Sequence, residues 1–546
     1  MKKTISLLMI LCMIITCAMS AGYTASAQDI GYAEAAAAGD DYGLGETCKD
    51  GNILHCFNWT LSQIKQELPN IAQAGFTSVQ TSPLQGHDGN NQWYWLYQPT
   101  NFNVGNELGS YSDLQLLCTE AHKYGIKVIV DVVANHVAGS NSGTIANAVD
   151  SSLKKGDYYH KEGACNDWDN RHDITHKNIG MPDLKSEHTD IQNFVANYVS
   201  QLQEAGVDGI RWDAAKHIGL PSEDCAFWST MAQFDLYQYG EILGNPAGNS
   251  GDAVNKALIN EYAQYVGVTD SEYSSNIMSA VMNGTTYKQP GYWTKKDVSA
   301  DKIVLWGESH DTYANDTDDG GWTKNLDQNT IDRAYAIVGA REGSQALYLS
   351  RPSEKNKTSI YYGKKGSTHF TSKEVAAVNH FHNAMAGTEE KYSSTNGCFV
   401  VWRSYGAVIV SMDDEDVDIS ISNNSSMVAE GTYTDEISGN TFTVTGSKIT
   451  GHIGSSGIAV FYDADPDDFY LAGDVDGNGY IEIIDATIVQ RYNASFNISY
   501  TDEEVNLRGD VDFSGSADIL DVTMIRRYLV ELATSSSHVG ERVKPV

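Results

Sequence analysis

Arg211 and Asp213 stand two apart in the segment DGIRWD, a run that reads as a strand. Alternate residues of a strand share a face, so both side chains point the same way. A guanidinium beside a carboxylate favours its ionised form, which an attacking oxygen requires. Glu241 ends a second run, LYQYGEI, among Tyr239, Ile242 and Leu243. A less polar setting there would hold a proton ready for a departing oxygen. Asn135 and His136 close a third run, and His310 and Asp311 follow a fourth. If these runs end at one rim, three carboxylates meet: one to attack, one to donate a proton, one to bind hydroxyls or stabilise positive charge. That is the set glycosidic cleavage asks for. Alone, Arg211–Asp213 reads equally well as a structural ion pair; four clusters in order leave that reading remote.

A second pattern lies near the C-terminus. GDVDGNGYIEIIDATIVQRY, from Gly473, is repeated as GDVDFSGSADILDVTMIRRY, from Gly509. Counting from the first aspartate, Asp474, Asp476, Asn478, Tyr480, Glu482 and Asp485 occupy positions 1, 3, 5, 7, 9 and 12. Asp510, Asp512, Ser514, Ser516, Asp518 and Asp521 repeat them, and Gly479 and Gly515 stand at position 6. This is the spacing of a twelve-residue calcium loop, with Asp rather than Glu at its end. Pro466 and nearby glycines oppose a helix entering the first loop, whereas a helix ending in Arg-Tyr follows each. An acidic linker would not repeat in phase.

The elements that must carry these residues alternate. ILHCFNW, SVQTSP, KVIVDVV, DGIRWD, LYQYGEI, YVGVTD, KIVLWGES and ALYLSR read as strands with helical patterns between. Ile191, Phe194, Val195, Tyr198, Val199 and Leu202 form one apolar helix stripe. Eight such alternations predict an α/β fold, a parallel (β/α)8 TIM barrel over residues 47–376. The polar interval of about fifty residues after the third strand (136–187) predicts an inserted loop domain. Short β runs with Gly, Asn and Ser turns predict an antiparallel sheet domain over 377–463. A linker (464–472), a small calcium-binding helical module (473–532) and a disordered tail (533–546) complete the chain. At the other end, Lys2, Lys3, the apolar run Ile5–Ala18 and Ala25-Ser26-Ala27 predict a signal peptide over 1–27, then a flexible lead-in to residue 46.

The net charge of −34 argues against nucleic acid and anionic membranes as partners and suits a neutral substrate. Six cysteines remain after residue 27, at 48, 56, 118, 165, 225 and 398, in no zinc-like spacing; free thiols and one bridge both stay open.

Gly51 to Asp463 resembles the α-amylases of glycoside hydrolase family 13, especially the saccharifying type of Gram-positive bacteria. The motifs are DVVANH (131–136), GIRWDAAKH (209–217), YGEIL (239–243) and WGESHD (306–311), with WYWLYQP (93–99). The resemblance implies Asp213 as nucleophile, Glu241 as acid/base and Asp311 as the third carboxylate. It implies that His136, Arg211 and His310 bond the sugar at the cleavage point, that Tyr97 stacks on it beside Tyr94 and Gln98, and that Lys216 and His217 line the leaving-group side. It further implies a structural calcium held by Asn135, Asp183 and the carbonyls of Thr175 and His217. Ser309, where chloride-activated members carry Asn, puts chloride activation in doubt, and no starch-binding module is recognisable.

Residues 473–532 resemble type I dockerins, which implies a cohesin module of a scaffold protein as partner. The apolar pairs Ile483-Ile484 and Ile519-Leu520 at positions 10 and 11 depart from the hydroxylated residues common there and leave the cohesin open. The expected function is therefore a secreted, endo-acting, retaining starch hydrolase carried on a scaffold, with calcium bound. An α-glucan transglycosylase or α-1,6-acting relative is the alternative within catalysis. A non-catalytic starch-binding scaffold component is the alternative outside it; intact Asp213, Glu241 and Asp311 oppose that one.

Overall fold

The computed structural model describes residues 42–285, 297–315, 322–412, 416–463 apart from 425, 470–532 apart from 479 and 531, and 537–543 apart from 541. The predicted signal peptide, most of the lead-in and linker residues 464–469 lie outside the described residues. The chain divides into two compact units.

The first unit contains a closed barrel of eight parallel strands: β1 (Ile53–Cys56), β2 (Ser78–Thr81), β3 (Lys127–Val133), β4 (Gly209–Asp213), β5 (Tyr237–Gly240), β6 (Gly267–Thr269), β7 (Ile303–Trp306) and β8 (Gln345–Leu349). Each predicted run contributes one strand, and β1 pairs with both β2 and β8 to close the ring. β3, β4 and β7 are buried at every position, as strands covered on both faces must be. The helices between them begin on local signals. Thr60 caps Leu61–Gln73 in a reciprocal box with Gln63, and Ser110 caps Tyr111–His122 with Asp113. The stripe read from the sequence forms Thr189–Glu204, burying Ile191, Val195, Tyr198, Val199 and Leu202.

Register decides which residues share a layer. Asp131 of β3 pairs with Arg211 of β4, which pairs with Tyr239 of β5, and Val133 pairs with Asp213. The inserted segment 136–187 is held by a few ladder-like contacts rather than a sheet. Its helix is the short Arg171–His176, and bridges join His136 to Asp183 and Tyr159 to Leu184. The lead-in is anchored before its expected end: Leu44 is buried and the Gly45 N–H donates to Thr77 Oγ1 at 3.1 Å.

The second unit contains two four-stranded antiparallel sheets between Glu390 and Tyr462. Trp402, Ile409, Ile421, Phe442, Ile449 and Phe461 lie in their shared core. Residues Lys373–Ala384 form a helix, so the sheets begin at Glu390 rather than at 377. Residues from Tyr470 form a module of three helices, Ile483–Asn493, Asp502–Gly509 and Ile519–Tyr528. The first acidic loop is entered, as expected, without a helix, from the short strand Tyr470–Leu471, whereas the helix Asp502–Gly509 leads into the second.

The tail departs from expectation. The segment predicted to be disordered instead folds back over 537–543. Val539 enters the module's core beside Ala472, Val511 and Ile525, and Arg542–Val543 pairs with Tyr470–Leu471. The His538 N–H donates to Val511 O at 2.8 Å, and Gly540 N–H to Ala472 O at 2.9 Å. One valine and four paired backbone groups outweigh the polar composition that suggested disorder.

Candidate functional site

Arg211 is the hub of the barrel rim. Its Nη1 donates to both oxygens of Asp131 at 2.8 and 2.9 Å and to Asp213 Oδ1 at 2.9 Å. Its Nη2 lies 2.6 Å from Glu241 Oε1. The Ala214 N–H donates to Glu241 Oε2 at 3.0 Å. Asp311 lies near enough to Arg211, Glu241 and Asp213 to interact with their charges. The three carboxylates read from the sequence are thus brought together, with Asp131 as a fourth.

One surrounding differs from expectation. Both oxygens of Glu241 accept hydrogen bonds from a cation and a backbone N–H, so its setting is polar where the neighbouring sequence suggested an apolar one. Burial, opposed and aided by the neighbouring charges, explains the acidities. Burial pushes Asp213 well up; Arg211 pulls it down, but Glu241, Asp131 and Asp311 add repulsion. The guanidinium therefore does not by itself keep Asp213 acidic, as the sequence suggested. Burial raises Asp131 to about 6 against the pull of Arg211. Burial also raises Asp311. One guanidinium cannot neutralise four carboxylates, so burial holds Asp131, Asp213 and Asp311 up against its pull.

The flanking groups are fixed by their neighbours. Tyr97 is buried, donates its hydroxyl to Asp131 Oδ2 at 3.0 Å, and stacks on His310 with centroids 5.4 Å apart and planes 10° from parallel. His136 Nε2 donates to Tyr97 O at 3.0 Å. Burial lowers His136 to about 4 and His310 to about 3, so both are neutral near pH 7. Tyr94 lies in the 3-10 turn Trp93–Trp95, and the Gln98 N–H closes that turn onto Trp95 O at 3.0 Å. Ser309 caps the short helix His310–Ala314, its Oγ accepting from Thr312 N–H at 3.2 Å. The serine that departs from the chloride-type motif thus does structural work here.

On the other side, Lys216 Nζ donates to Leu243 O at 2.9 Å and sits 5.9 Å from the Trp168 ring. His217 is buried, and its Nδ1 donates to Ile174 O at 2.8 Å. Burial lowers it to about 3.

Residues without an assigned role in the sequence complete the site. Asp131 opens DVVANH, and its signal was a lone acid inside an apolar strand. Glu308, inside WGESHD, accepts from Arg351 Nε at 2.6 Å and Nη2 at 2.9 Å, which fixes the turn bearing His310 and Asp311. Arg171 joins Glu223 at 2.8 Å and donates to Lys216 O at 2.7 Å, holding the Lys216 turn. His55 lies buried beneath the rim, edge-on to His310 at 5.2 Å; nothing in its strand marked it.

The candidate calcium residues of the barrel make two local contacts, Asn135 with Asp183 and the His217 turn with the helix that contains Thr175. Asn135 Nδ2 donates to Asp183 Oδ1 at 3.0 Å, and His160 Nδ1 meets Asp183 Oδ2 at 2.6 Å. Burial raises Asp183 to about 7. Burial pulls His160 down, but Asp183 and Glu187 outweigh it and carry it to about 9. The His217–Ile174 bond brings the turn Ala215–His217 against helix Arg171–His176, which contains Thr175. Asn135 and Asp183 are thus neighbours, and each carries side-chain oxygen of the kind a hard cation takes.

In the C-terminal module, carboxylate oxygens of Asp474, Asp476 and Asp485 lie within 4.8 Å of one another, as do those of Asp510, Asp512 and Asp521. These are positions 1, 3 and 12 of each loop. Asp485 accepts from the N–H groups of Val475, Asp476 and Glu482, and Asp521 from those of Val511 and Asp518. Asn478 reaches Asp476 and Glu482 at 3.3 and 3.4 Å, and the Ser514 hydroxyl reaches Asp510 Oδ1 at 3.4 Å. Tyr480 and Ser516 count through their carbonyls; the Tyr480 ring points outward, 72% exposed. Asp518 differs: its side chain caps the next helix through Leu520 N–H at 2.6 Å. Gly515 has φ +104°, the left-handed bend position 6 requires. Ile483, Ile484, Ile519 and Leu520 are exposed.

All six described cysteines are buried free thiols. Among the described residues, no helix is long and apolar enough to cross a membrane.

Comparison with known proteins agrees with this geometry. Residues 49–304 match the family model of the α-amylase catalytic domain, and residues 472–530 that of the type I dockerin domain. An α-amylase of Clostridium acetobutylicum is 35% identical over 441 residues, covering 77% of this chain and 55% of that protein. One of Butyrivibrio fibrisolvens is 30% identical over 472 residues, covering 76% and 47%. The chain thus spans about half the length of these relatives. The solved structure of wild-type α-amylase I from Eisenia fetida shares the fold, with a TM-score of 0.61 at 19% identity over 77% of this chain and 97% of that one. Barrel, rim and acidic repeat agree with these matches: residues 49–304 belong to the α-amylase catalytic-domain family, glycoside hydrolase family 13, and residues 472–530 to the type I dockerin family.

Proposed function

We propose that this protein is a secreted, endo-acting α-amylase that hydrolyses α-1,4-glucosidic bonds of starch and related glucans with retention of configuration. The observation that carries this is the convergence of Asp213, Glu241 and Asp311 about Arg211 at the C-terminal rim of the barrel. Asp213 attacks the anomeric carbon while Glu241 protonates the departing oxygen, giving a β-linked glycosyl ester on Asp213. Glu241 then takes a proton from water, which displaces Asp213 from the opposite face and restores the α configuration. Asp311, on the same rim, is placed to accept from ring hydroxyls of the bound sugar. Neutral His136, its Nε2–H already given to Tyr97 O, offers Nδ1 to a sugar hydroxyl as an acceptor, and neutral His310 meets the sugar without adding positive charge. Asp213 and Glu241 hang on one guanidinium, which suits the closer spacing of a retaining pair.

Calcium is the metal this reading assigns to Asn135, Asp183 and the Thr175 and His217 carbonyls, and to both acidic loops. In the barrel it would fix the inserted loop that walls the cleft; in the module it would neutralise converging carboxylates. Residues 1–27 direct secretion. The dockerin docks on a cohesin of an extracellular scaffold, its exposed apolar pairs offering the contact surface. The test is incubation with amylose, followed by product sizing and proton NMR of the first anomer released. Mixed maltooligosaccharides released as the α anomer are expected. Cyclic or lengthened products, or cleavage of pullulan only at α-1,6 links, would replace hydrolysis of α-1,4 bonds.

A further inference from the structure

We propose that the inserted loop domain carries a second metal site, selective for zinc-type cations and built from His160, His176 and Glu187. These residues come from three separate stretches of the insertion, yet one ligand atom of each lies within 4.8 Å of the others. His160 Nε2 is 3.0 Å from Glu187 Oε1, and the His160 and His176 rings are 4.5 Å apart. Two imidazoles and one carboxylate form a three-residue donor set of zinc, which completes its tetrahedron with water; calcium takes oxygen alone.

The partners of the two rings support the assignment. A metal-binding histidine usually donates its other ring N–H to a carboxylate or similar acceptor, which fixes tautomer and aim. His160 Nδ1 meets Asp183 Oδ2 at 2.6 Å. His176 Nδ1 meets Thr175 Oγ1 at 2.8 Å, and that hydroxyl donates to Arg171 O at 3.0 Å, so it accepts from the imidazole. Both rings are thereby held with Nε2 left to face a ligand. His172, stacked on His176 at 4.1 Å, turns its own Nε2 to Glu162 at 2.9 Å and stays outside the set. Ligands about 2.0–2.2 Å from a shared tetrahedral ion lie roughly 3.4 Å apart, so a side-chain movement of little more than about 1 Å closes the site. The ion would tie the stretches around residues 160, 176 and 187 together beside Asp183.

The experiment uses the full chain, stripped of metal and then kept in millimolar calcium so that oxygen sites are filled. Zinc chloride is titrated by calorimetry, and metal content is measured after desalting. One zinc per chain with micromolar or tighter affinity is expected. His176→Gln and Glu187→Gln should each weaken it by roughly tenfold or more. Cobalt substituted for zinc should show visible absorption that His176→Gln alters. Glu187 is the exposed member, so its variant tests the site without disturbing buried packing. No stoichiometric zinc in the parent, or zinc retained equally by both variants, would overturn the site and leave a hydrogen-bonded histidine cluster.

Discussion

Asp131→Asn isolates what the fourth carboxylate does, because structure assigns it opposite effects on stability and on catalysis. Asp131 is fully buried, accepts twice from Arg211 and once from Tyr97, and has its pKa raised from 3.8 to about 6. A carboxyl raised in the fold favours its protonated form there. Its contribution is fully present below about pH 4 and is lost as pH rises through about 6. Two pKa units correspond to about 3 kcal/mol of ionisation penalty above that range. Asparagine removes the penalty but also a charge-assisted bond worth about 1.5–3 kcal/mol. The net change at pH 7.5 should lie between about 0 and 1.5 kcal/mol in favour of the variant. Arg211 meanwhile loses its firmest anchor, and Asp213 and Glu241 lose the position it imposes. A loss of roughly a hundredfold in kcat corresponds to about 2.7 kcal/mol, reasonable for misplacing two reacting groups. Urea unfolding at pH 5 and 7.5 in fixed calcium, with turnover of a maltooligosaccharide, reads both. The parent should lose stability between those pH values and the variant should lose less. Destabilisation beyond about 2 kcal/mol at pH 7.5 with the parent's pH slope intact, or kcat within twofold of the parent, would refute the reasoning.

Asp213→Asn should keep the fold and lose several orders of magnitude in kcat, read in a contaminant-free preparation; residual activity of a few per cent would remove it from the nucleophile's role. Glu241→Gln should be inactive on starch yet bind maltooligosaccharides, with partial recovery of the first step for an aryl glycoside with a good leaving group; equal loss on good and poor leaving groups would point to another acid. Chelation should unfold residues 470–543 and release bound cohesin, and Asp474→Ala with Asp510→Ala should mimic it, followed by heteronuclear NMR of the full chain with and without calcium. An equally folded module in both conditions would contradict the calcium reading. The six buried thiols should react with an aromatic disulfide reagent only on unfolding; fast labelling in the native state would contradict their burial.

Barrel and rim were legible because their signals are local and repeated. Each strand is a short apolar run, and each rim residue follows one directly, so chain order alone aligned Asn135, Asp213, Glu241 and Asp311. What was hidden depends on register. Nothing near Asp131 says that it faces Arg211, eighty positions away; only the pairing of β3 with β4 sets them side by side. The Glu308–Arg351 clamp joins residues forty-three positions apart on different loops. The ordered tail was hidden for a related reason, since Val539 has value only beside a core that its own sequence does not describe.

The two carboxylate clusters show one residue type stabilised in opposite ways, and this sets what each unit needs from solution. At the rim, Asp131, Asp213 and Glu241 share the built-in cation Arg211, and burial holds the Asp131 and Asp213 carboxyls high against its pull. There the compensating cation is a side chain of the fold itself. In the loops, Asp485 and Asp521 are held by backbone N–H groups, and Arg508 reaches Asp474 only at 4.0 Å. Backbone dipoles orient carboxylates but do not cancel their charge, and a module of this size has little apolar core to oppose the repulsion. A cation from solution would supply that compensation. Calcium depletion should therefore act on docking before it acts on the catalytic carboxylates themselves, the order that separates a scaffold attachment from a catalytic centre in one chain.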